Sequence, residues 1–250
     1  MRPRTRLLTL FCLALLGASL LAVPASATGS QRDRAQHRSY HRTYEVTIYN
    51  TSLGQPLSPP VVATHRRGAA LFRVGRRASE GIVEIAENGN PDPAAEALSG
   101  SRRVTDVEVL DPIAPLGTLT DVPTSRTVRV TARRGDRLSV AGMLICTNDG
   151  FAGVDRMRLP RHGTRTAILG TYDAGSERNT ELSEDIVDPC SALGPVVLDG
   201  DGDAGNGNNN DGIDTAEQIT RHPGVDGAIG DLLPAHDWEL AAVLTVRRVR

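Results

Sequence analysis

Two short stretches of the chain place carboxylates among glycines and small polar residues, each just after an apolar run. The first, TNDGFAGVD (147–155), contains Asp149, and the second, TYDAGSE (171–177), contains Asp173 and Glu177. Glycine lets such loops converge, and carboxylate and backbone carbonyl oxygens are the ligands that Ca²⁺ binds, about six to eight at a time. Asp173 and Glu177 are separated by a short Ala-Gly-Ser segment, so that both can turn back on one ion. This pattern predicts a calcium site, while solvated loops with turn-forming aspartates are an equally good explanation of the composition.

Catalytic chemistry has little support in the sequence. The chain contains no G-x-S-x-G nucleophile motif and no H-E-x-x-H zinc motif. Beyond residue 42 the histidines are scattered along the chain, at His65, His162, His222 and His236. Carboxylates are numerous, but nothing in their spacing places two of them around a cleft as a glycosidase requires. We therefore predict no catalytic residue and no enzyme activity, with a cell-envelope hydrolase as the less favoured alternative.

Two cysteines are predicted to form a disulfide. Of the three in the chain, Cys12 lies in the N-terminal apolar segment, which leaves Cys146 and Cys190 as an even pair. In an oxidising compartment such a pair is expected to be bridged, closing a loop of about 45 residues. Two separate buried thiols are the alternative. A metal–thiolate site is disfavoured because the chain has no C-x-x-C pair and no nearby Cys/His grouping.

The first 27 residues have the pattern of a secretory signal peptide. Three arginines precede an apolar run, and Ala25 and Ala27 fit the A-x-A cleavage rule. We expect a secreted protein cleaved near Ala27; a single-span anchor is the alternative, although the run is barely long enough for a bilayer. Removal of residues 1–27 takes three of the 28 basic residues and none of the 30 acidic ones, which leaves a net charge of −5. This acidic balance argues against nucleic-acid binding, and no later stretch is apolar enough to span a membrane.

The rest of the chain is predicted to form one domain. Residues 28–42 are polar and charged without periodicity and are expected to be a disordered arm, which places the domain at 43–250. Within it, the acidic, Gly/Asn-rich segment 199–212 is predicted to be a flexible loop. Its spacing resembles an EF-hand only superficially, because the required glycine and the final glutamate fall out of register. Loose cation binding there is the alternative.

The pattern of the domain predicts an all-β fold, an antiparallel β-sandwich with short helices in its connections. Alternating or apolar runs bounded by turns indicate strands at 43–50, 104–110, 126–132, 137–146 and 238–249. A Pro/Gly-rich loop is expected over 51–62, a helix capped by Ser79 and ended by Gly89, and a further helical turn at 91–100. Strands at both ends of the domain suggest that its termini pair within one sandwich. The Arg-Gly-Asp triplet at 134–136 is expected to be a hairpin turn rather than an integrin-binding motif.

Four segments of the domain resemble one known family. They are YEVTIYNTSLGQPLSPPVVATH (44–65), LFRVGRRASEGIVEIAENGN (71–90), LSVAGMLICTNDGFAGVD (138–155) and YDAGSERNTE (172–181), and they occur in this order. Together they are similar to the spondin domain, the amino-terminal module of F-spondin and mindin, which is also found alone in exported bacterial proteins. The resemblance runs from about Tyr44 to Thr180, with a weaker similarity in the later HPG and Trp238 region.

The resemblance implies a β-sandwich whose calcium ligands fall on Asp149, Asp173 and Glu177. Glu177 replaces the aspartate of the family pattern and adds one methylene. The cysteine-rich insertion and the thrombospondin repeats of the animal proteins are missing, so their disulfides and their matrix and receptor functions do not transfer. The implied function is a secreted, non-catalytic, calcium-binding module for extracellular binding or adhesion, with an unknown glycan, cell-wall or protein ligand. The alternative is a structural exoprotein in which calcium only stiffens loops.

Overall fold

The computed structural model of the protein describes residues 41–116, 121–187, 190, 218–232 and 234–249. The predicted signal peptide at 1–27, the arm up to residue 40 and the acidic loop at 199–212 therefore lie outside the described residues. The first strand begins at His41, two residues before the start expected for the domain. Within the described ranges no helix has both the length and the apolar character needed to cross a membrane.

The described chain forms nine strands and two short helices. The strands are β1 His41–Asn50, β2 Val61–His65, β3 Val104–Val109, β4 Ser125–Arg133, β5 Arg137–Met143, β6 Gly150–Arg158, β7 Thr164–Asp173, β8 Thr220–Arg221 and β9 Ala242–Arg248. The helices are α1 Glu80–Asn88 and α2 Asp92–Ser99, and 3-10 turns occupy Ser183–Asp185 and Pro234–His236.

All strand pairs are antiparallel, in the order β3-β2-β5-β6-β7-β9-β1-β4, and β8 pairs with β7. Strand β7 joins the two layers, because its first part, Thr164–Leu169, pairs with β9 and its last part, Gly170–Asp173, pairs with β6. The edge strands approach each other where the Asp106 carboxylate accepts a hydrogen bond from the Thr131 backbone N–H at 2.6 Å. The all-β prediction is confirmed, and the two layers form a nearly closed, barrel-like sheet.

The core follows from the alternation that the sequence shows. Tyr44, Val46 and Ile48 point inward from β1, and β1 pairs with β9, so the ends of the domain meet as predicted. Helix α1 ends at Gly89, whose φ of 62° is the left-handed conformation that glycine adopts most readily. Its buried face, formed by Ile82, Ile85 and Ala86, packs with the aromatic rings of Phe72 and Phe151 on the outer side of the sheet.

Strands β2, β6 and β7 lie outside the strand ranges predicted from the sequence, and β2 lies where a loop was expected. Val61 and Val62 were expected to end a loop, but they begin a strand that is buried on both faces between β3 and β5. A strand of this kind shows no alternation, and Pro59 and Pro60 directly before it obscured its start.

The Arg-Gly-Asp triplet forms the β4–β5 hairpin turn, as predicted. Gly135 has a φ of 92° at the bend. The Asp136 side chain is 6% exposed, and its carboxylate accepts hydrogen bonds from the Thr105 hydroxyl at 2.6 Å and the Arg133 backbone N–H at 2.8 Å. The carboxylate is therefore committed to holding the turn.

Candidate metal centre

Strand register brings the two acidic stretches together at one end of the sheet. Asp149 immediately precedes β6, and Asp173 is the last residue of β7. Gly150 lies opposite Asp173 in the antiparallel β6–β7 pair, and the Ala174 N–H donates to the Asp149 carbonyl oxygen at 3.1 Å. Residues 24 positions apart in the chain are thus neighbours in space.

Two local turns hold these acids in place. In the turn between β5 and β6, the Thr147 hydroxyl donates to the Leu144 carbonyl at 2.6 Å and accepts from the Gly150 N–H at 2.9 Å. After β7, the chain reverses at Gly175, which has a φ of 70°. A side chain at this position would be strained, and its Cβ would lie 2.7 Å from backbone atoms of Gln218. The glycine is therefore required by both conformation and space.

Asp149 is fully buried, and only one of its two carboxylate oxygens accepts hydrogen bonds from described residues. Its Oδ2 accepts hydrogen bonds from the backbone N–H groups of Ser176 and Glu177, at 2.8 and 3.1 Å, and lies 3.3 Å from the Ser176 hydroxyl. Its Oδ1 has no hydrogen-bond partner among the described residues. A buried carboxylate oxygen without a partner is unusual, because its desolvation is then left uncompensated.

Asp173 and Glu177 are also buried, at 2% and 3% exposure. The Asp173 Oδ1 accepts from the Gly175 N–H at 2.7 Å, and its Oδ2 accepts from the Asn179 side-chain amide at 2.6 Å. The backbone of Glu177 contacts Asp149 through the hydrogen bond described above. The segment 173–177 therefore wraps around the Asp149 carboxylate.

The electrostatics of the site disfavour the ionised form of Asp149. Burial, and to a smaller extent the charge of the neighbouring Asp173, raise the pKa of its carboxyl from 3.8 to about 6. Hydrogen bonds from Ser176 and Glu177 act in the opposite direction and limit this rise. Among the described residues, no arginine or histidine forms an ion pair with Asp149. The site thus carries negative charge in a place from which water is largely excluded.

The three predicted acids share one end of the sheet, but their carboxylate oxygens do not converge tightly. In the described part of the chain, the group of three Cys, His, Asp or Glu side chains with ligand atoms within 4.8 Å of one another is Cys146, Cys190 and His236. Cys146 and Cys190 form a disulfide with a Cα–Cα distance of 5.0 Å, as predicted. Because the two sulfurs are bonded to each other, they are not available as thiolate ligands, and this group is not a metal site.

Sequence reasoning missed the polar side chains that fasten the acidic loop. The Asn148 Oδ1 accepts from the Thr180 N–H at 3.0 Å, and its amide group donates to the Thr180 hydroxyl at 3.2 Å. The buried Glu181 carboxylate accepts from the N–H groups of Asp226 and Gly227, at 3.2 and 2.9 Å. Asn148 lies inside the TND stretch, so its position next to Asp149 was the available signal. Nothing in the sequence indicated that Glu181 would reach residues about 45 positions away.

A family model described as Spondin_N matches residues 37–185, which is more than half of the chain and includes Asp149, Asp173 and Glu177. A search of curated proteins finds no match.

Proposed function

The chain belongs to the Spondin_N family, and from this premise we propose that it is an exported, non-catalytic binding or adhesion module with a Ca²⁺ site at its acidic end. Asp149, Asp173 and Glu177 would hold the ion. The observation that carries the proposal is the Asp149 Oδ1, an ionisable oxygen that is buried, unpartnered and close to a second carboxylate. This chemistry fits a hard divalent cation, which binds carboxylate oxygens and offsets their mutual repulsion.

The three carboxylates are the kind of ligand that Ca²⁺ binds, but their oxygens are farther apart than the ligands of one ion. Asp149 has a free oxygen, whereas the three carboxylates do not lie within 4.8 Å of one another. Ion binding would therefore draw the segment 173–177 closer to Asp149, or would use backbone carbonyls as further ligands. The ion supplies no bond-making chemistry in this proposal. Its role is to fix the two loops at one end of the sheet relative to each other.

Export is supported by the Cys146–Cys190 disulfide, because structural disulfides form and persist in oxidising compartments. It also accords with the signal peptide predicted at 1–27. A non-catalytic role is supported by the buried histidines, which make structural contacts. His65 lies 2.8 Å from the Ser139 hydroxyl, and His236 lies 2.8 Å from the Gly54 carbonyl oxygen. The ligand we propose is a glycan, cell-wall polymer or protein outside the cell.

Calorimetric titration of metal-free protein with CaCl₂ tests the metal site. We expect saturable binding by the wild type and a loss of affinity of at least about tenfold in Asp173→Asn, since one charged ligand is removed. Glu96→Gln, which removes one exposed carboxylate on α2, is the matched control and should bind as the wild type does. Equal affinity in all three proteins would refute the assigned site.

Capture of glycans and cell-wall fragments on an array separates the two functions that remain. A binding module retains at least one ligand in CaCl₂ and loses it in Asp173→Asn. If calcium raises the melting temperature but the two proteins capture the same ligands, or none, the alternative holds and the ion only stiffens the loops.

A further inference from the structure

The end of the sheet opposite Asp149 and Asp173 is rich in arginine. In the β5–β6 pair, Met143 lies opposite Phe151 next to the acidic end, whereas Arg137 lies opposite Arg158 at the far end. The β4–β5 turn and the β6–β7 turn reach this same far end. The chain therefore carries charges of opposite sign at the two ends of one sheet.

A cleft of about 680 Å³ opens at this end. We call it the basic cleft, and it is lined by arginines from separate segments: Arg42, Arg67, Arg133, Arg134, Arg137, Arg158, Arg161 and Arg248. Other lining residues include Tyr44, Asp136, Leu159 and His162. The volume lies within the range of about 300–1,000 Å³ that is typical of small-molecule sites.

The positive charge of the basic cleft is largely uncompensated. Apart from Arg248, none of the lining arginines forms an ion pair with a described residue. Asp136 is the acid in the lining, and its carboxylate is engaged by Thr105 and by the backbone of Arg133. Burial lowers the pKa of the Arg137 guanidinium, and the charges of Arg67 and Arg158 lower it further. The fold thus holds the guanidinium groups of Arg67, Arg137 and Arg158 close together although their positive charges repel one another.

The lining selects the chemical class of the ligand. Guanidinium groups bind phosphate and sulfate oxygens through paired N–H donors. Tyr44 is buried in the core, so the exposed ring that the lining offers to a nucleobase is the imidazole of His162. The exposed large apolar side chains of the described residues, such as Leu53 and Ile229, are not part of the lining, so none is placed there to enter a bilayer.

We propose that the basic cleft binds a compact polyanion that carries several phosphate or sulfate esters, such as a substituted sugar or polyol. The predicted mature chain is net acidic and repels anions at long range, so attraction depends on this local concentration of arginines. The site lies at the other end of the sheet from the proposed metal centre. Binding therefore does not depend on Ca²⁺.

The experiment measures binding by calorimetry, of inositol hexakisphosphate in EDTA and of sucrose octasulfate in EDTA and in CaCl₂. Arg134→Ala/Arg158→Ala removes two exposed arginines of the basic cleft. Arg73→Ala/Arg76→Ala removes two exposed arginines outside it and is the matched control. We expect at least about tenfold weaker binding in the first variant and less than about twofold change in the control, since only the first loses groups that contact the anion. Arg134→Lys/Arg158→Lys, which keeps the charge but not the paired donors, should fall between wild type and the alanine variant.

Each outcome bears on the proposal. Binding of either probe that is lost in the cleft variant supports it and identifies the ester, and binding of sucrose octasulfate should be equal in EDTA and in CaCl₂. Equal affinity in both alanine variants overturns it, as does the absence of binding by wild type at low salt. Binding confined to anionic lipid vesicles or to single-stranded DNA also overturns it. Because the measurement in EDTA requires no metal, failure of the calcium proposal leaves this result interpretable.

Discussion

Replacement of Asp149 by asparagine is expected to stabilise the metal-free protein. Asparagine has nearly the same shape and retains an acceptor for the N–H groups of Ser176 and Glu177. The amide nitrogen would take the place of Oδ1, which has no hydrogen-bond partner in the described structure, so no hydrogen bond is lost. The substitution removes the buried negative charge beside Asp173 and places two amide N–H donors at the position of Oδ1.

The magnitude follows from the pKa of the Asp149 carboxyl, which rises from 3.8 to about 6 on folding. The folded state binds more protons than the unfolded state between these values, so the stability of the wild type falls as pH increases through this window. A shift of about two pKa units corresponds to about 3 kcal/mol at pH 7.5, where the carboxyl is ionised. For a domain of this size, about 3 kcal/mol raises the melting temperature by about 6–12 °C.

Calcium should reduce the stability advantage of Asp149→Asn over the wild type. At a free concentration 100 times the dissociation constant, a ligand that binds only the folded state adds about 2.7 kcal/mol to the free energy of unfolding. Only the wild type gains this term at full strength, because Asp149→Asn lacks the charged ligand. Thermal unfolding in EDTA at pH 7.5 should therefore favour the variant, and saturating CaCl₂ should remove most of the difference.

The assay compares wild type, Asp149→Asn and the surface control Glu96→Gln by calorimetry at pH 7.5 and pH 4. Near pH 4 the advantage of Asp149→Asn over the wild type should largely vanish, because the folded wild type is then mostly protonated at Asp149. Circular dichroism verifies that each variant is folded. If Asp149→Asn melts at or below the wild-type temperature in EDTA at pH 7.5, the inference that Asp149 carries an unfavourable buried charge is wrong.

Two further predictions concern the same domain. His222 is half-buried and its Nδ1 accepts a hydrogen bond from the Gly224 N–H. Desolvation lowers the pKa of its imidazole from 6.5 to about 4, with Asp237 opposing the shift. The unfolded state then binds more protons between these values, so stability falls as pH decreases from about 6.5 to about 4, by up to about 3 kcal/mol. His222→Asn should show a smaller loss of stability than the wild type in urea unfolding at pH 7.5 and 4.5, and an equal loss would contradict the assignment. Replacing both Cys146 and Cys190 with serine opens a loop with a sequence separation of 44 and should lower the free energy of unfolding by about 4 kcal/mol. An unchanged midpoint of urea unfolding would show that the bridge does not constrain the unfolded chain.

Local signals in the sequence were sufficient to predict the elements whose ends are marked by their own residues. Helix α1 combined a capping serine, an apolar face and a terminal glycine, and it ends at Gly89 as expected. Ser79 occupies the N-cap position but makes no side-chain hydrogen bond there, so the sequence identified the boundary correctly and the capping interaction incorrectly. The hairpin at Gly135 was equally local, since a positive φ between two strands favours glycine.

Long-range pairing was beyond sequence reasoning. That β7 would pair with β9 through one half and with β6 through the other depends on the curvature of the whole sheet, which no local pattern encodes. The closeness of Asp149 and Asp173 depends on a single register, Gly150 opposite Asp173. The identity of the acids could therefore be predicted from the TND and DAGSE stretches, while their separation and burial could not. The basic cleft was missed for the same reason, because its arginines come from five separate segments.

The separation of charge along the sheet follows from topology and could be recognised in other antiparallel domains. In a run of antiparallel strands, successive turns lie at opposite ends of the sheet. Every second turn in the sequence therefore lies at the same end. Here the β4–β5 and β6–β7 turns contain Arg134 and Arg161, whereas the β5–β6 turn and the segment after β7 contain Asp149 and Glu177. Alternation of charge between successive turns thus builds a basic end and an acidic end within a chain whose net charge is small. Net charge alone, which argued against nucleic-acid binding, averages over these two ends and conceals both proposed sites.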